Sequence, residues 1–118
     1  MPADYFLKAP ANPGASADAI VYDSTDGLKN FGQKENDKGV KFNFKADQNV
    51  TVFYEDLAAD GATWVPMNNG GSGDVIAANT PTLVTVEFLG KDSRVRLRTG
   101  TAPTVWHVSG RALQEQVP

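Results

Sequence analysis

The sequence has no cysteine, a single histidine (His107) and no apolar run near the ~20 residues that cross a bilayer as a helix. Without cysteine there is no disulfide and no thiolate metal site. With one histidine the usual His/Cys metal sets cannot be assembled. Basic charge is also short: 11 Lys and Arg stand against 14 Asp and Glu, a net charge of −3. A general nucleic-acid binder carries a basic footprint, so that class is disfavoured. The opening MPADYFLKAP lacks the basic start and the roughly 7–15-residue apolar core of a secretory signal, which points to a product used where it is made or released by lysis. No segment shows a sustained 3.6-residue apolar period; Leu57-Ala58-Ala59 offers one helical turn at most.

What is present is an alternating pattern. Val40, Phe42 and Phe44 are interleaved with Lys41, Asn43 and Lys45. Val84, Val86 and Phe88 are interleaved with Thr85 and Glu87, and Val95 and Leu97 with Arg94, Arg96 and Arg98. Trp106 and Val108 alternate with His107 and Ser109. A period of two puts one set of side chains on each face of a sheet, the mark of half-buried antiparallel strands. Turn residues interrupt the pattern at Asp26-Gly27, Asp37-Lys38-Gly39, Asp60-Gly61, Asn68 to Gly73, Asn79-Thr80-Pro81 and Thr99 to Thr104. Short strands at this rhythm predict an all-β antiparallel sandwich or jelly roll of about eight strands. They fall at 19–23, 27–31, 39–45, 50–56, 63–67, 74–77, 82–89, 93–99 and 104–112.

The 118 residues suit one domain. Residues 1–18 differ from the rest, with Pro2, Pro10 and Pro13 among small polar residues, and read as an extended arm preceding a β-sandwich domain at 19–118. The apolar cluster Tyr5-Phe6-Leu7 makes the arm an anchor, held by its own domain or by a neighbour. The expected core face comprises Val40, Phe42, Phe44, Val52, Tyr54, Trp64, Val84, Val86, Phe88, Val95, Leu97, Trp106 and Val108. Each large member contributes roughly 1.5–3 kcal/mol if fully buried.

Candidate chemistry is sparse. His107 has outward parity with Ser109 and no G-x-S-x-G context, so a solvated or interfacial role is expected. Glu55, Asp56 and Asp60 are a carboxylate cluster where a strand leaves the sheet. Paired carboxylates serve glycosidases, and oxygen clusters serve calcium. Turn chemistry and solubility are the expected roles, because no regular calcium loop is present. NNGGSG at 68–73 lacks the Lys-Ser/Thr and helix of a phosphate loop and reads as a mobile connection. Trp64 and Trp106 offer flat faces for sugar, but their parity favours the core. Arg94, Arg96 and Arg98 form a comb on one face, with teeth about 6.6–6.8 Å apart, and the expected arrangement is a late hairpin whose wet face they share with His107. Three readings stand for it: a solvated ladder with Glu87 as a cross-strand partner, a docking face for an acidic or carbonyl-rich partner surface, or a site for a small anionic ligand.

The segments GVKFNFKADQNVTVFYED and VTVFYEDLAADGATWVPM, then TLVTVEF and SRVRLRTGTAPTVWHVSGRAL, resemble small β-sandwich proteins from the structural gene clusters of tailed bacteriophages. In those proteins an arginine-bearing penultimate strand turns through Thr-Ala into a last strand, as Asp92 to Gly100, Thr101-Ala102 and Val105 to Leu113 do here. The similarity spans roughly 39–113. The related general fold is the discoidin or galactose-binding-like jelly roll. The resemblance implies a non-enzymatic virion protein of the head decoration (cement) type, assembled in the host cytoplasm. Its expected partners are the major capsid protein and copies of itself, in a homo-oligomer such as a trimer, with no nucleic acid, membrane or cofactor. Tyr5, Phe6, Leu7, Arg94, Arg96 and Arg98 are its expected partner-binding residues. The same fold also serves carbohydrate-binding and adhesion modules, the second reading, in which a glycan is the ligand.

Overall fold

The computed structural model describes residues 4–25, 37–88 and 92–114. Among these are nine strands: β1 (Tyr5–Phe6), β2 (Asp18–Asp23), β3 (Asp37–Ala46), β4 (Val50–Leu57), β5 (Trp64–Pro66), β6 (Asp74–Ile76), β7 (Thr82–Glu87), β8 (Ser93–Thr99) and β9 (Trp106–Gln114). They form two antiparallel sheets, one ordered β1-β9-β3-β7 and the other β2-β8-β4-β5, with β6 pairing the first half of β4. The chain is therefore an antiparallel β-sandwich. The pairs are nested: β1 with β9, β2 with β8, β3 with β7, and β4 with β5 and β6. Two long arms of chain run alongside each other and wrap into opposed sheets, which is the jelly-roll arrangement. The expected strand at 27–31 lies outside the described residues.

The alternating residues meet between the sheets. Val40, Phe42, Phe44, Val84 and Val86 come from one sheet, and Val52, Val95 and Leu97 from the other; all are buried. Tyr54, Phe88, Trp106 and Val108 close the margins of this core. Val50, Ile76, Ala46 and Ala112 complete it, together with Ala19, Val21 and Tyr22 of β2. In β2 the register skips Val21 against β8, so Val21 and Tyr22 are both buried despite being consecutive. Phe42 and Gly110 face each other across β3 and β9. A Cβ at Gly110 would lie 2.7 Å from that of Phe42, so glycine is what lets the phenylalanine fill this layer.

Three expectations are corrected. First, β8 and β9 are not one hairpin. β8 lies between β2 and β4, and β9 between β1 and β3 in the opposite sheet. The 100–105 connection crosses the sandwich, and Asp47 braces it by accepting from the backbone N–H groups of Thr104 (2.9 Å) and Val105 (3.1 Å). Alternation tells which side chains share a face of one strand, and it carries no information on which strand is the neighbour. The arginines and His107 therefore occupy opposite outer faces of the molecule. Second, Leu57 ends β4 and the chain turns at once, while the short 3₁₀ turn falls at Asn68–Gly71. There the Asn68 side chain accepts from Tyr54 N (3.0 Å) and donates to Val52 O (3.0 Å) and Asp74 (2.9 Å), stitching this glycine-rich connection onto β4. Third, Trp64 stands on the outer face of its sheet and not in the core.

The arm is part of the sandwich. β1 adds to the free edge of β9, with Tyr5 opposite Ala112 and Phe6 opposite Arg111, and Leu7 N donates to Gly110 O (2.9 Å). Further along, Trp106 Nε1 donates to Pro10 O (2.9 Å) and Ser16 N to Gly100 O (2.8 Å). Tyr5 and Leu7 pack against the core. The Tyr5 hydroxyl (2.7 Å) and the Tyr22 hydroxyl both donate to one oxygen of Asp37, and the Gln114 amide donates to the other. Burial, then the hydrogen bond to Asp37 and its charge, push both phenols above their ordinary range. One carboxylate thus ties β1, β2, β3 and β9 together across both sheets. Asp37→Ala removes the shared acceptor of three donors and is expected to lower stability by about 1–3 kcal/mol. An unchanged urea midpoint in this variant would contradict the role given to the knot.

Candidate functional site

The comb of β8 folds into a closed charge cluster. β8 sits centrally, with β2 on one side and β4 on the other, so its outward side chains meet those of both neighbours. Along β4, Val52 and Tyr54 turn to the core, so Phe53 and Glu55 turn outward beneath the arginines. Glu55 lies opposite Arg94, Phe53 opposite Arg96, and Asp18 of β2 opposite Arg98.

Glu55 is the centre. It is only 3% exposed. Its Oε1 accepts from Arg94 Nε (2.8 Å) and forms an ion pair with Arg94 Nη2 at 2.6 Å. The same oxygen accepts from Arg96 Nε (3.1 Å), and Oε2 accepts from Arg96 Nη2 (3.1 Å). Arg96 Nη1 turns the other way, to Asp18 (3.0 Å). Arg98 reaches Asp18 at 3.5 Å and is the most exposed of the three arginines. Aromatic rings roof the cluster: the Arg94 guanidinium lies 4.7 Å from the Trp64 ring centre, and that of Arg96 lies 4.2 Å from Phe53. Burial alone would lower the Arg96 pKa; the bonds to Glu55 and Asp18 outweigh it and raise the value above its ordinary level.

This geometry decides what the cluster can do. Both Glu55 oxygens are committed to guanidiniums, so the carboxylate is in no position to move a proton to or from a substrate. Arg94 and Arg96 point their forks at Glu55 and stack against rings, which leaves little of either for an incoming anion. The expected counter-charge, Glu87, belongs to the other sheet, and Glu55 and Asp18 take its place. Glu55, expected in turn chemistry at the end of its strand, is instead buried within the sheet, and only its outward side was legible, because Phe53 and Glu55 alternate with Val52 and Tyr54. Asp18 carries no signal until β2 is known to pair with β8.

The other candidates separate. Asp56 accepts from the Ser93 hydroxyl (3.2 Å). Asp60 closes the β4–β5 turn, accepting from Ala62 N (2.8 Å), Thr63 N (2.9 Å) and the Thr63 hydroxyl (2.6 Å). Among the described residues no group of three or more His, Asp or Glu side chains comes together as a metal set. His107 is exposed on β9 opposite Lys45, far in topology from the Glu55 cluster. Trp106 has its indole N–H on Pro10 and its ring edge-on to Phe44, with centres 5.0 Å apart. No protein-family model, curated protein or solved structure matches this chain.

Two predictions follow from these bonds. Glu55→Ala strands two guanidiniums and is expected to cost about 3–5 kcal/mol, the range for removing one partner of a buried pair. Arg98→Ala, at the solvated end, is expected to cost only ~0–1 kcal/mol. Equal small losses in the two urea titrations would contradict a buried cluster. The second concerns acid. Hydrogen bonds from the Thr63 hydroxyl, Ala62 N and Thr63 N hold the Asp60 pKa at about 2, below the ordinary 3.8. A depressed carboxylate stabilises the fold above its unfolded pKa, and that contribution is lost as pH falls through the folded one. Asp60→Asn should therefore remove a component of the acid-induced stability loss between pH 3.8 and about 2, read from thermal midpoints against pH.

Proposed function

We propose that this chain is a non-enzymatic structural protein of a tailed-bacteriophage virion, a capsid decoration protein that binds the head surface and stabilises it. The resemblance across residues 39–113 motivates the reading, and one observation supports it above the rest. The arm lies along β9 as an ordered strand, with Tyr5 and Leu7 turned in and Phe6 turned out, 86% exposed. An aromatic side chain on a paired strand enters a partner's pocket without the cost of ordering a loose tail. Burying it contributes roughly 1.5–3 kcal/mol of contact. The partners under this reading are the major capsid protein and neighbouring copies of the chain, and the place is the virion.

The carbohydrate-binding alternative needs open aromatic faces with polar groups free to orient a sugar. Trp64 lies against Arg94, and Trp106 is edge-on to Phe44 and bonded to Pro10, so neither ring supports it.

Because Tyr5 and Leu7 belong to the packing of the sandwich, deleting residues 1–18 would disturb fold and binding together. The sharper test is Phe6→Ser in the full chain, with particles purified from the producing lysate and the chain counted by mass spectrometry. The expected result is a stoichiometric particle protein in the wild type and at least about tenfold lower occupancy in the variant at an unchanged melting temperature. Absence of the wild-type chain from particles, or tight saturable binding of a simple sugar by it, would overturn the reading.

A further inference from the structure

The two outer faces of the sandwich treat their cations in opposite ways. On the β2-β8-β4-β5 sheet, Arg94 stands opposite Glu55 and Arg98 opposite Asp18. On the β1-β9-β3-β7 sheet, Lys41 stands opposite Arg111, and Lys45 opposite His107. Like charges facing each other across a ladder are destabilising. Among the described residues none of Lys41, Lys45 and Arg111 has a carboxylate within ion-pair distance, in contrast to all three arginines of β8. In a chain of net charge −3 this is a local surplus of positive charge, held in place by a rigid central strand pair.

Apolar groups flank the surplus. Phe6 continues the Lys41–Arg111 row on one edge strand, and Leu83, 55% exposed, faces Asn43 on the other. Between them lie Asn43, Ser109 and the bare backbone of Gly110, so the sheet forms a saddle there. Lys41 and Arg111 line this saddle, and Lys45 and His107 line an adjoining depression that shares Asn43, Leu83 and Ser109 with it.

We infer that this outer face of the β1-β9-β3-β7 sheet docks onto an acidic protein surface, whose carboxylates meet Lys41, Arg111 and Lys45 while apolar side chains cover Phe6 and Leu83. The inference rests on the reading of the chain as a binding protein, and it names the chemistry of the partner. Carboxylates from outside supply the ion-pair partners that Lys41, Lys45 and Arg111 lack, and the Arg111 fork suits them bidentately. Nucleic acid fits less well. A phosphate backbone needs a continuous basic track, whereas Glu87 carries the outward parity of this same face beyond Thr85, and two exposed apolar side chains border the cations.

The test uses isotope-labelled full-length chain titrated with three probes: a short peptide alternating glutamate and leucine, a short DNA duplex, and a heparin oligosaccharide. The expected result is peptide binding that shifts the amides of β3 and β9, weakened at least about tenfold in the K41E/R111E double variant. V75E, at an exposed position on β6 of the opposite sheet, should leave it unchanged. K41E alone replaces the like-charge pair by an opposite one, so it should keep a thermal midpoint no lower than wild type while also weakening peptide binding. No peptide binding, binding unaffected by K41E/R111E, or tighter binding of DNA or heparin at this face would each overturn the inference. Particle counts keep the two readings apart. Unchanged occupancy of the double variant on particles would overturn this surface alone. Absence of the wild-type chain from particles, with the peptide still bound at β3 and β9, would overturn the virion reading alone.

Discussion

Glu55 has both carboxylate oxygens on guanidiniums and almost no contact with water. Much of the outer surface of the molecule is decided by that placement. A carboxylate removed from water is stable only when its lone pairs are filled and its charge is matched, and two arginines roofed by Trp64 and Phe53 do both. The consequence is electrostatic closure of one face. Among the described residues the three arginines of β8 find acids within the β2-β8-β4-β5 sheet, and Lys41, Lys45 and Arg111, which find none, stand on the other sheet. A face that a linear reading would call the most charged is the less available of the two.

The second constraint is the nested pairing of the strands. In a jelly roll the first strand meets the last, so the two ends of the chain are fixed to each other through β1 and β9. That pairing turns a proline-bearing arm into an edge strand. It also explains why Asp37 gathers donors from Tyr5, Tyr22 and Gln114, residues distant in sequence that the wrapped ribbon brings to one end of the sandwich. Closing such long loops is entropically costly, and the contacts that offset it include Phe42 against Gly110 at the centre and Phe44 against Trp106 at the margin. The arm is then a stabilising element and a presenting one at once: it fills the margin with Tyr5 and Leu7 and leaves Phe6 outside.

Much of this was legible in advance, and the legible part is local. Alternation around Val40 to Phe44, Val84 to Val86 and Val95 to Leu97 named the strands and their buried sides, because period two is a property of each strand alone. Turn residues marked the ends for the same reason. Trp64 shows the limit. Size and parity favoured the core, but β5 is a three-residue edge strand, and the ring found a guanidinium to cover on the wet side. The acid-lined turn at Asp60 was readable, while the burial of Glu55, five residues earlier, was not.

Side-chain alternation and turn chemistry within a few residues therefore carry the class of fold, the sides of most strands and most of the large core side chains, with Trp64 the exception. Which strand lies beside which is a property of the folded chain alone. That choice sent β8 and β9 to opposite sheets, gave Arg94 and Arg96 to Glu55, laid Tyr5 and Phe6 along β9, and set Lys41 against Arg111. The physical reason is that strand pairing is settled by contacts between residues tens of positions apart, where the pattern along the chain is silent.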